Sequence, residues 1–518
     1  MKNLLFLICS LLINSLVESP TFGQNASNPV IGADVPDPSI IRVGKTYYMS
    51  STTMHMSPGL PIMKSEDLIN WKIVNYAYDT LANIDQLNLN NGKSDYGRGS
   101  WASSLRYHNG RYYVSTFSGT TNKTYIFSTA NIEKGPWEKH SFSPALHDHS
   151  LFFEKDRVFM VYGAGRIMLT ELNADLSGLK TGSAPKTLIQ NATLVTGSGT
   201  GLPAEGSQLF KIKGEYYLFN IAWPRNGMRT VIIHRSNSLA GPYTGRIGLQ
   251  DKGVAQGGLI STPDGQWFSY LFRDYGAVGR IPYLVPVSWE LGWPILGVDS
   301  KVPDSLALNK NLSPIPGIVD SDDFNDAGRG NVLKKVWQWN HNPYNSSWSL
   351  SRRSGFLRLQ TSRIDTSVLQ ARNILTQRTI SPGSSAETCI DLGGMKIGDC
   401  AGMILLQKKY GWIGVQSLKE GLFLIVKTIH DTQPFESIKI PVQQKRIYLK
   451  LICDFRDRKD LGTFAYSLDG ESWNEVGEKL KMSYTLPHFM GYRFGLFNFA
   501  TQNIGGYADF DYFNIKID

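Results

Sequence analysis

The sequence predicts an all-β chain: a five-bladed β-propeller followed by a β-sandwich of the jelly-roll kind. Three observations carry this. Aromatics make up 12% of the 518 residues and glycine numbers 50, a composition suited to pleated surfaces and tight turns. One pattern recurs five times in the first 300 residues. Beyond a proline-containing stretch near residue 300 the texture changes to short alternating strands without that pattern.

The chain opens on Lys2, an almost unbroken apolar run from Leu4 to Leu16, and a polar, small-residue stretch around Thr21-Phe22-Gly23. That is the layout of a secretory signal peptide over residues 1–23, and it implies export to the periplasm or beyond. The run is short for a bilayer span, and no later segment is long and apolar enough for one.

Each repeat consists of a short polar motif, an apolar strand, a turn, and a strand opening with aromatics or other apolar residues. The motifs are Asp37-Pro38-Ser39-Ile40-Ile41, Trp101-Ala102-Ser103-Ser104-Leu105, Asp148-His149-Ser150-Leu151-Phe152, Glu205-Gly206-Ser207-Gln208-Leu209 and Gln256-Gly257-Gly258-Leu259-Ile260. The turns Gly-Lys, Asn-Gly, Lys-Asp, Lys-Gly and Asp-Gly suit hairpins. A spacing of roughly 50 to 65 residues leaves room for four strands per repeat, the content of a propeller blade. Five blades then occupy about residues 27–298. Residues 299–319, with Pro303, Pro314 and Pro316, read as a linker wrapping back over the propeller. From 320 to 518, Phe356-Leu357-Arg358-Leu359 and Ile447-Tyr448-Leu449-Lys450-Leu451 alternate with period two, as sandwich strands do.

A propeller gathers its innermost strands around one axis, so residues at the same phase of each repeat converge. The leading positions are Asp37, Trp101 or Ala102, Asp148, Glu205 and Gln256. Three of the five are carboxylic acids. Like charges sharing a partly buried mouth raise one another's pKa, so such a cluster needs a chemical reason. Glycoside hydrolysis supplies one: an acid protonates the leaving oxygen while a second carboxylate activates water or attacks the sugar. Asp37 is read as general base, Glu205 as general acid, and Asp148 as the group that orients Glu205 and tunes its pKa. Trp101 is the candidate stacking wall for a sugar ring, with Gln256 as a further sugar contact.

The same motifs resemble glycoside hydrolase family 43. Pro36-Asp37-Pro38-Ser39-Ile40 resembles the family's general-base motif, Asp148-His149-Ser150-Leu151-Phe152-Phe153 its modulating-aspartate motif, and Glu205-Gly206 its general-acid motif. Gly276-Ala277-Val278-Gly279-Arg280 is similar to a family stretch in which Arg280 would contact the bound sugar. Trp337-Gln338-Trp339-Asn340-His341-Asn342-Pro343 and Trp348-Ser349-Leu350 resemble the concanavalin-like domain of the β-xylosidase branch. The resemblance implies an inverting, exo-acting enzyme that releases β-D-xylose or α-L-arabinofuranose from plant polysaccharide, with the sandwich closing one side of the pocket.

Two positions depart from the family. His149 stands where Pro is usual. Ala255 stands where relatives often carry a His that helps hold a channel cation, so no cofactor is expected in the channel. By analogy with similar domains, Asp322, Asp323 and Asp509 could hold a structural calcium in the sandwich.

Other classes fit less well. The net charge is +9, but the basic residues are scattered, without the stacking surface of a nucleic-acid binder. A retaining fructan or sucrose hydrolase needs an Asn-Asp-Pro-Asn motif and a Glu-Cys motif, and both are missing. A non-catalytic carbohydrate-binding propeller would not keep three intact acids. Cys389, Cys400 and Cys453 follow Cys9; one disulfide among them, such as Cys389 with Cys400, and three buried thiols are both open readings. Ser467-Leu468-Asp469-Gly470-Glu471-Ser472-Trp473 is read as a hairpin turn.

Overall fold

Five four-stranded antiparallel sheets follow one another along the chain in a computed structural model that describes residues 24–197, 199–310, 317–325, 330–430 and 433–518. Their innermost strands are Ser39–Val43, Ser104–His108, Ser150–Glu154, Thr200–Ile212 and Ala255–Ser261. Each pairs with the next strand through the hairpin that the repeat predicts. The predicted signal peptide, residues 1–23, lies outside the described residues.

Serine hydroxyls stitch neighbouring blades together around the axis. Ser39 Oγ accepts from Leu105 N at 3.0 Å, Ser104 Oγ from Leu151 N at 3.0 Å, and Ser150 Oγ from Leu209 N at 3.0 Å. All three serines are buried, so each hydroxyl satisfies an amide that would otherwise be costly to bury. The latch also fixes the repeat phase. Asp37, Ala102 and Asp148 each stand two residues before a latching serine. Ala102 therefore holds the second blade's axial position, and Trp101 lies one residue outward. The sequence left Trp101 and Ala102 both open for that position, and the latch selects Ala102.

Backbone conformation marks the same phase. Asp37, Asp148 and Gln256 all have positive φ, at 51°, 45° and 56°, a conformation rare for residues with a Cβ and concentrated at functional positions. The fourth blade differs by a local insertion: its inner strand shifts register between Glu205 and Gln208, and Gly206 takes the positive φ, 67°. A Cβ built at Gly206 would lie 2.8 Å from Gln256 Nε2. The positive φ favours glycine there, and any side chain would have to displace that of Gln256.

Within residues 299–319, Ser305–Lys310 forms a strand antiparallel to Gln24–Ser27. Gly317 bridges to Lys72 of the first blade.

The C-terminal part stacks two antiparallel sheets, one of seven strands and one of nine. In strand Arg446–Asp454 Ile447, Leu449, Leu451 and Cys453 are buried while residues between them are half-covered or exposed, the period-two pattern of a sheet with one face on the core. Cys389, Cys400 and Cys453 are free buried thiols, so no disulfide joins them. Ser467–Trp473 is a turn as read: Asp469 Oδ1 accepts from Ser467 Oγ, Glu471 N and Ser472 N, each at 2.8 Å.

The two parts share one core. A single cluster of buried apolar residues runs from Tyr217 and Leu284 of the propeller to Leu449 and Phe510 of the sandwich. The segment Trp337–Pro343 is the dock between them. Gln338 Nε2 donates to Pro58 O at 2.7 Å and Thr53 Oγ1 at 3.1 Å; Asp95 N donates to His341 Nε2 at 3.0 Å; Asn342 N donates to Leu87 O at 2.8 Å. His55, His341 and His488 gather with Tyr96 at this seam, the Tyr96 and His488 rings stacking at 4.2 Å. Burial depresses all three imidazoles below their ordinary pKa, His488 to about 3.

Candidate active site

The three acids read from the repeat come together at one end of the propeller axis. One polar atom from each of His147, Asp148 and Glu205 lies within 4.8 Å of the others. Asp37 is close enough to interact electrostatically with both Asp148 and Glu205. Beneath them a cavity of about 10 Å³ is lined by Asp37, Ala102, Asp148, Ser207, Gln208 and Gln256, room for about one water.

Each carboxylate has its own setting. Asp37 is buried, and Arg280 Nη1 donates to its Oδ1 at 2.9 Å and Oδ2 at 3.1 Å. Burial pushes the Asp37 carboxyl above its ordinary value, while Arg280 and Arg229 oppose the shift. Burial also drives Asp148 up, to about 7, assisted by the charge of Glu205 and opposed by His147 and the Gly206 amide. Asp148 O accepts from Ser207 N at 3.1 Å, which ties the third blade's motif to the fourth's.

Glu205 is paired with a residue the sequence reading passed over. His147 Nε2 lies 3.0 Å from Glu205 Oε2. Burial alone would lower the His147 pKa, but the Glu205 hydrogen bond and the charges of Asp148 and Glu205 outweigh it and push the imidazole up to about 9. His149, on the other side of Asp148, is structural. Its Nδ1–H donates to Leu146 O at 2.9 Å, so Nε2 accepts from Ser115 Oγ at 2.8 Å. Burial lowers its pKa to about 4. The neutral ring ties the third blade to the second.

Arg280 is 3% exposed. Its guanidinium is committed to Asp37 and lies 4.5 Å from the centroid of the Phe489 ring, so its contact with Asp37 rather than with an open mouth dominates its surroundings. Phe489 comes from the sandwich. It stacks on Trp101 with centroids 5.6 Å apart and planes 19° apart, and the two rings form an aromatic wall contributed by both domains. No feature of the repeat marks Phe489. Its neighbours Gly491 and Arg280 both donate to Asp34, from N to Oδ2 at 3.1 Å and from N to Oδ1 at 2.7 Å, so Asp34 holds the sandwich loop against the first and fifth blades. At the rim, Arg229 lies 5.1 Å from the Trp223 ring and donates to Asp274 at 2.6 Å.

The axis below the acids is closed by Arg106, whose Nη2 donates to Ser150 Oγ at 2.6 Å and Gln208 Oε1 at 3.2 Å. Its half-buried guanidinium brings a positive charge to that end of the channel.

Asp322, Asp323 and Asp509, read by analogy as a calcium site, each have separate hydrogen-bond partners in the fold. Asp509 is held by Arg358, at 2.7 and 2.8 Å, and by Arg353 at 3.1 Å. Asp322 accepts from Trp337 Nε1 at 2.9 Å, and Asp323 Oδ1 from Asn325 N at 3.1 Å. Their oxygens are spent on separate donors, and the arginines already supply the positive charge.

The family model "Glycosyl hydrolases family 43" matches residues 26–294, and "Beta xylosidase C-terminal Concanavalin A-like domain" matches residues 321–516. The chain belongs to glycoside hydrolase family 43. A protein of Xylanibacter ruminicola named "Putative beta-xylosidase" is 30% identical over 86% of this chain and 82% of its own length. A Bacteroides ovatus protein named "Non-reducing end alpha-L-arabinofuranosidase BoGH43B" is 26% identical over 83% of each. A solved structure described as "Bifunctional GH43-CE Bacteroides eggerthii" superposes with a TM-score of 0.94 at 58% identity, covering 96% of this chain. This chain spans 64% of that longer protein. Family 43 membership makes the propeller a glycosidase and sets aside the binding-only and fructan-hydrolase readings. The concanavalin-like identity of the sandwich follows from the second match. Among the described residues no helix is long and apolar enough to cross a membrane.

Proposed function

We propose that this family 43 enzyme is an exported, inverting, exo-acting glycosidase that releases single pentoses, β-D-xylose or α-L-arabinofuranose, from the ends of plant polysaccharides and oligosaccharides. One observation carries the reading: three acids from the first, third and fourth blades share one end of the axis, beside an aromatic wall built by Trp101 and Phe489 that packs on Arg280. A wall contributed by a second domain blocks one side of the mouth, which suits a chain end better than a chain interior.

Asp37 is the general base. Its ion pair with Arg280 keeps an anionic form available despite burial, so it can take a proton from the attacking water. Glu205 is the general acid and protonates the departing oxygen. Asp148, pushed up by burial beside Glu205, limits the negative charge near the acid before the bond breaks. Trp101 and Phe489 stack on the sugar, and Gln256 contacts its hydroxyls. Inversion follows from a base that activates water instead of attacking the sugar. Relatives named for xylosidase and for arabinofuranosidase activity both support the pentose class.

The test is a panel of aryl glycosides with the product anomer followed by NMR. Glu205→Gln should abolish turnover of pentosides with poor leaving groups, and Asp37→Asn should abolish turnover of all. Near-normal turnover by either variant would remove the assignment, and a retained anomer would remove the inverting mechanism.

A further inference from the structure

We infer that His147 is a positioning residue that recharges Glu205 with its catalytic proton, linking the general acid to bulk water. The inference deepens the proposed function and rests on Glu205 being the acid.

An inverting cycle leaves two groups in the wrong state. The water's hydroxyl bonds to the sugar and its proton goes to Asp37, while Glu205 gives its own proton to the leaving oxygen. Asp37 must then lose a proton to solvent and Glu205 must regain one. The Glu205 side chain is only 18% exposed. His147 connects the two environments: its Nε2 lies 3.0 Å from Glu205 Oε2, and its side chain is 39% exposed. The ring is held in place, since its backbone carbonyl accepts from Gly163 N at 3.0 Å and its edge rests on Phe117 at 5.2 Å.

That bond can hold one proton in either of two places. With the proton on the ring, the imidazolium donates to a Glu205 carboxylate. With the proton on Glu205, the carboxyl donates to neutral Nε2. The total charge of the pair is the same in both forms, so moving the proton between them requires no exchange with solvent. A substrate that covers the site favours the uncharged partners, because burying two charges costs more than burying none, and so loads Glu205. After turnover the pair lacks one proton, and the half-exposed imidazole takes it from water.

The charged groups around the ring favour holding that proton. Glu205 and Asp148 face it with acidic groups, and Asp37 lies behind Asp148. His149 stands beyond them and is neutral, its Nδ1–H bound to Leu146 O. Phe117, from the second blade, contributes only an apolar ring. The same surroundings lift His147 to about 9, which keeps the pair protonated well past neutrality.

The test compares His147→Phe and His147→Gln with wild type and Glu205→Gln in the full chain, on an alkyl pentoside that needs acid assistance and a dinitrophenyl pentoside that does not. If His147 supplies the proton, both His147 variants shift the alkaline limb of kcat/KM for the alkyl substrate to lower pH by about one unit or more, roughly a tenfold loss at pH 8. Their KM and their rates on the dinitrophenyl substrate stay close to wild type. His147→Gln keeps a hydrogen-bond donor but carries no proton to give. A wild-type alkaline limb in His147→Gln would therefore overturn the inference, leaving the hydrogen bond alone as the function. An equal loss on both substrates in both variants would also overturn it, because a general distortion of the site explains that. If Glu205→Gln itself stays active on the alkyl substrate, the failure lies in the acid assignment and not in His147.

Discussion

Arg280 holds both oxygens of Asp37 with one nitrogen, Nη1, at 2.9 and 3.1 Å, and the pair is buried under a phenylalanine from another domain. Such a pair is worth little as a source of stability compared with an apolar pair of the same shape, but breaking it strands a charge. Its value here is chemical: a buried base stays ionised only with a cation beside it.

Arg280→Met should therefore cost activity and stability together. The unpaired Asp37 carboxyl, already raised by burial, rises further. Asp37 works only when ionised, so the acid limb of kcat/KM moves to higher pH. Loss of base catalysis at neutral pH should be about a hundredfold or more, and unfolding by denaturant should show a loss of about 3 to 5 kcal/mol. A variant with wild-type pH dependence would show that Asp37 does not rely on Arg280.

Phe489→Ala tests the shared wall. Removing the ring leaves Trp101 without its stacking partner at 5.6 Å and lets water reach the Asp37–Arg280 pair. The KM for an aryl pentoside should rise about tenfold, which corresponds to about 1.4 kcal/mol and lies within the range for an aromatic pair. Wetting Asp37 relieves the burial that raises it, so the acid limb should move to lower pH, opposite to the Arg280 variant. Opposite shifts from two residues in contact would locate the titration at Asp37.

Ser39, Ser104 and Ser150 form equivalent latches between blades. Ser39→Ala or Ser150→Ala leaves a buried amide, on Leu105 or Leu209, without an acceptor. Each should cost about 1 to 3 kcal/mol in chemical denaturation. These two also touch Gln208 or Arg106. Ser104→Ala, whose Oγ accepts from Leu151 N, isolates the latch itself. A loss near zero for all three would mean the blades hold by apolar contact alone.

Most of the fold was legible because a propeller repeats itself. Five copies of one motif place five residues on one axis, and the placement of Asp37, Asp148 and Glu205 needed only that phase. What was not legible lies where the repeat is locally broken or says nothing. The motif alone left the second blade's axial position open between Trp101 and Ala102, and the latching serine sets it at Ala102. Phe489 belongs to the other domain, and no periodicity relates it to the first. His147 was visible in His147-Asp148-His149, but its neighbour relation to Glu205 depends on how the third and fourth blades meet. The arginine partners of Asp509 were not legible because Arg353 and Arg358 lie more than a hundred residues away in sequence, and pairing across a sheet brings them together.

His149 offers a test of pH dependence with a known sign. Its folded pKa is lowered to about 4 from an ordinary 6.5, because burial penalises the charged ring. A histidine depressed in the fold contributes stability that is complete above its unfolded pKa and is lost as pH falls through the folded one. The contribution at neutral pH is on the order of 3 kcal/mol relative to pH 4 or below, at about 1.4 kcal/mol per unit. Other groups titrate in the same window, and Asp148, raised by burial, acts in the opposite direction. The informative quantity is the difference between wild type and His149→Gln, which can still reach Leu146 O or Ser115 Oγ but cannot titrate. Wild type should be the more stable at pH 7, with the gap closing and then reversing as pH falls from 6.5 toward 4 in parallel urea titrations. A gap constant with pH would mean that folding leaves the proton affinity of the His149 ring unchanged, and a neutral ring accepting from Ser115 Oγ at Nε2 below pH 6.5 would then have to be abandoned.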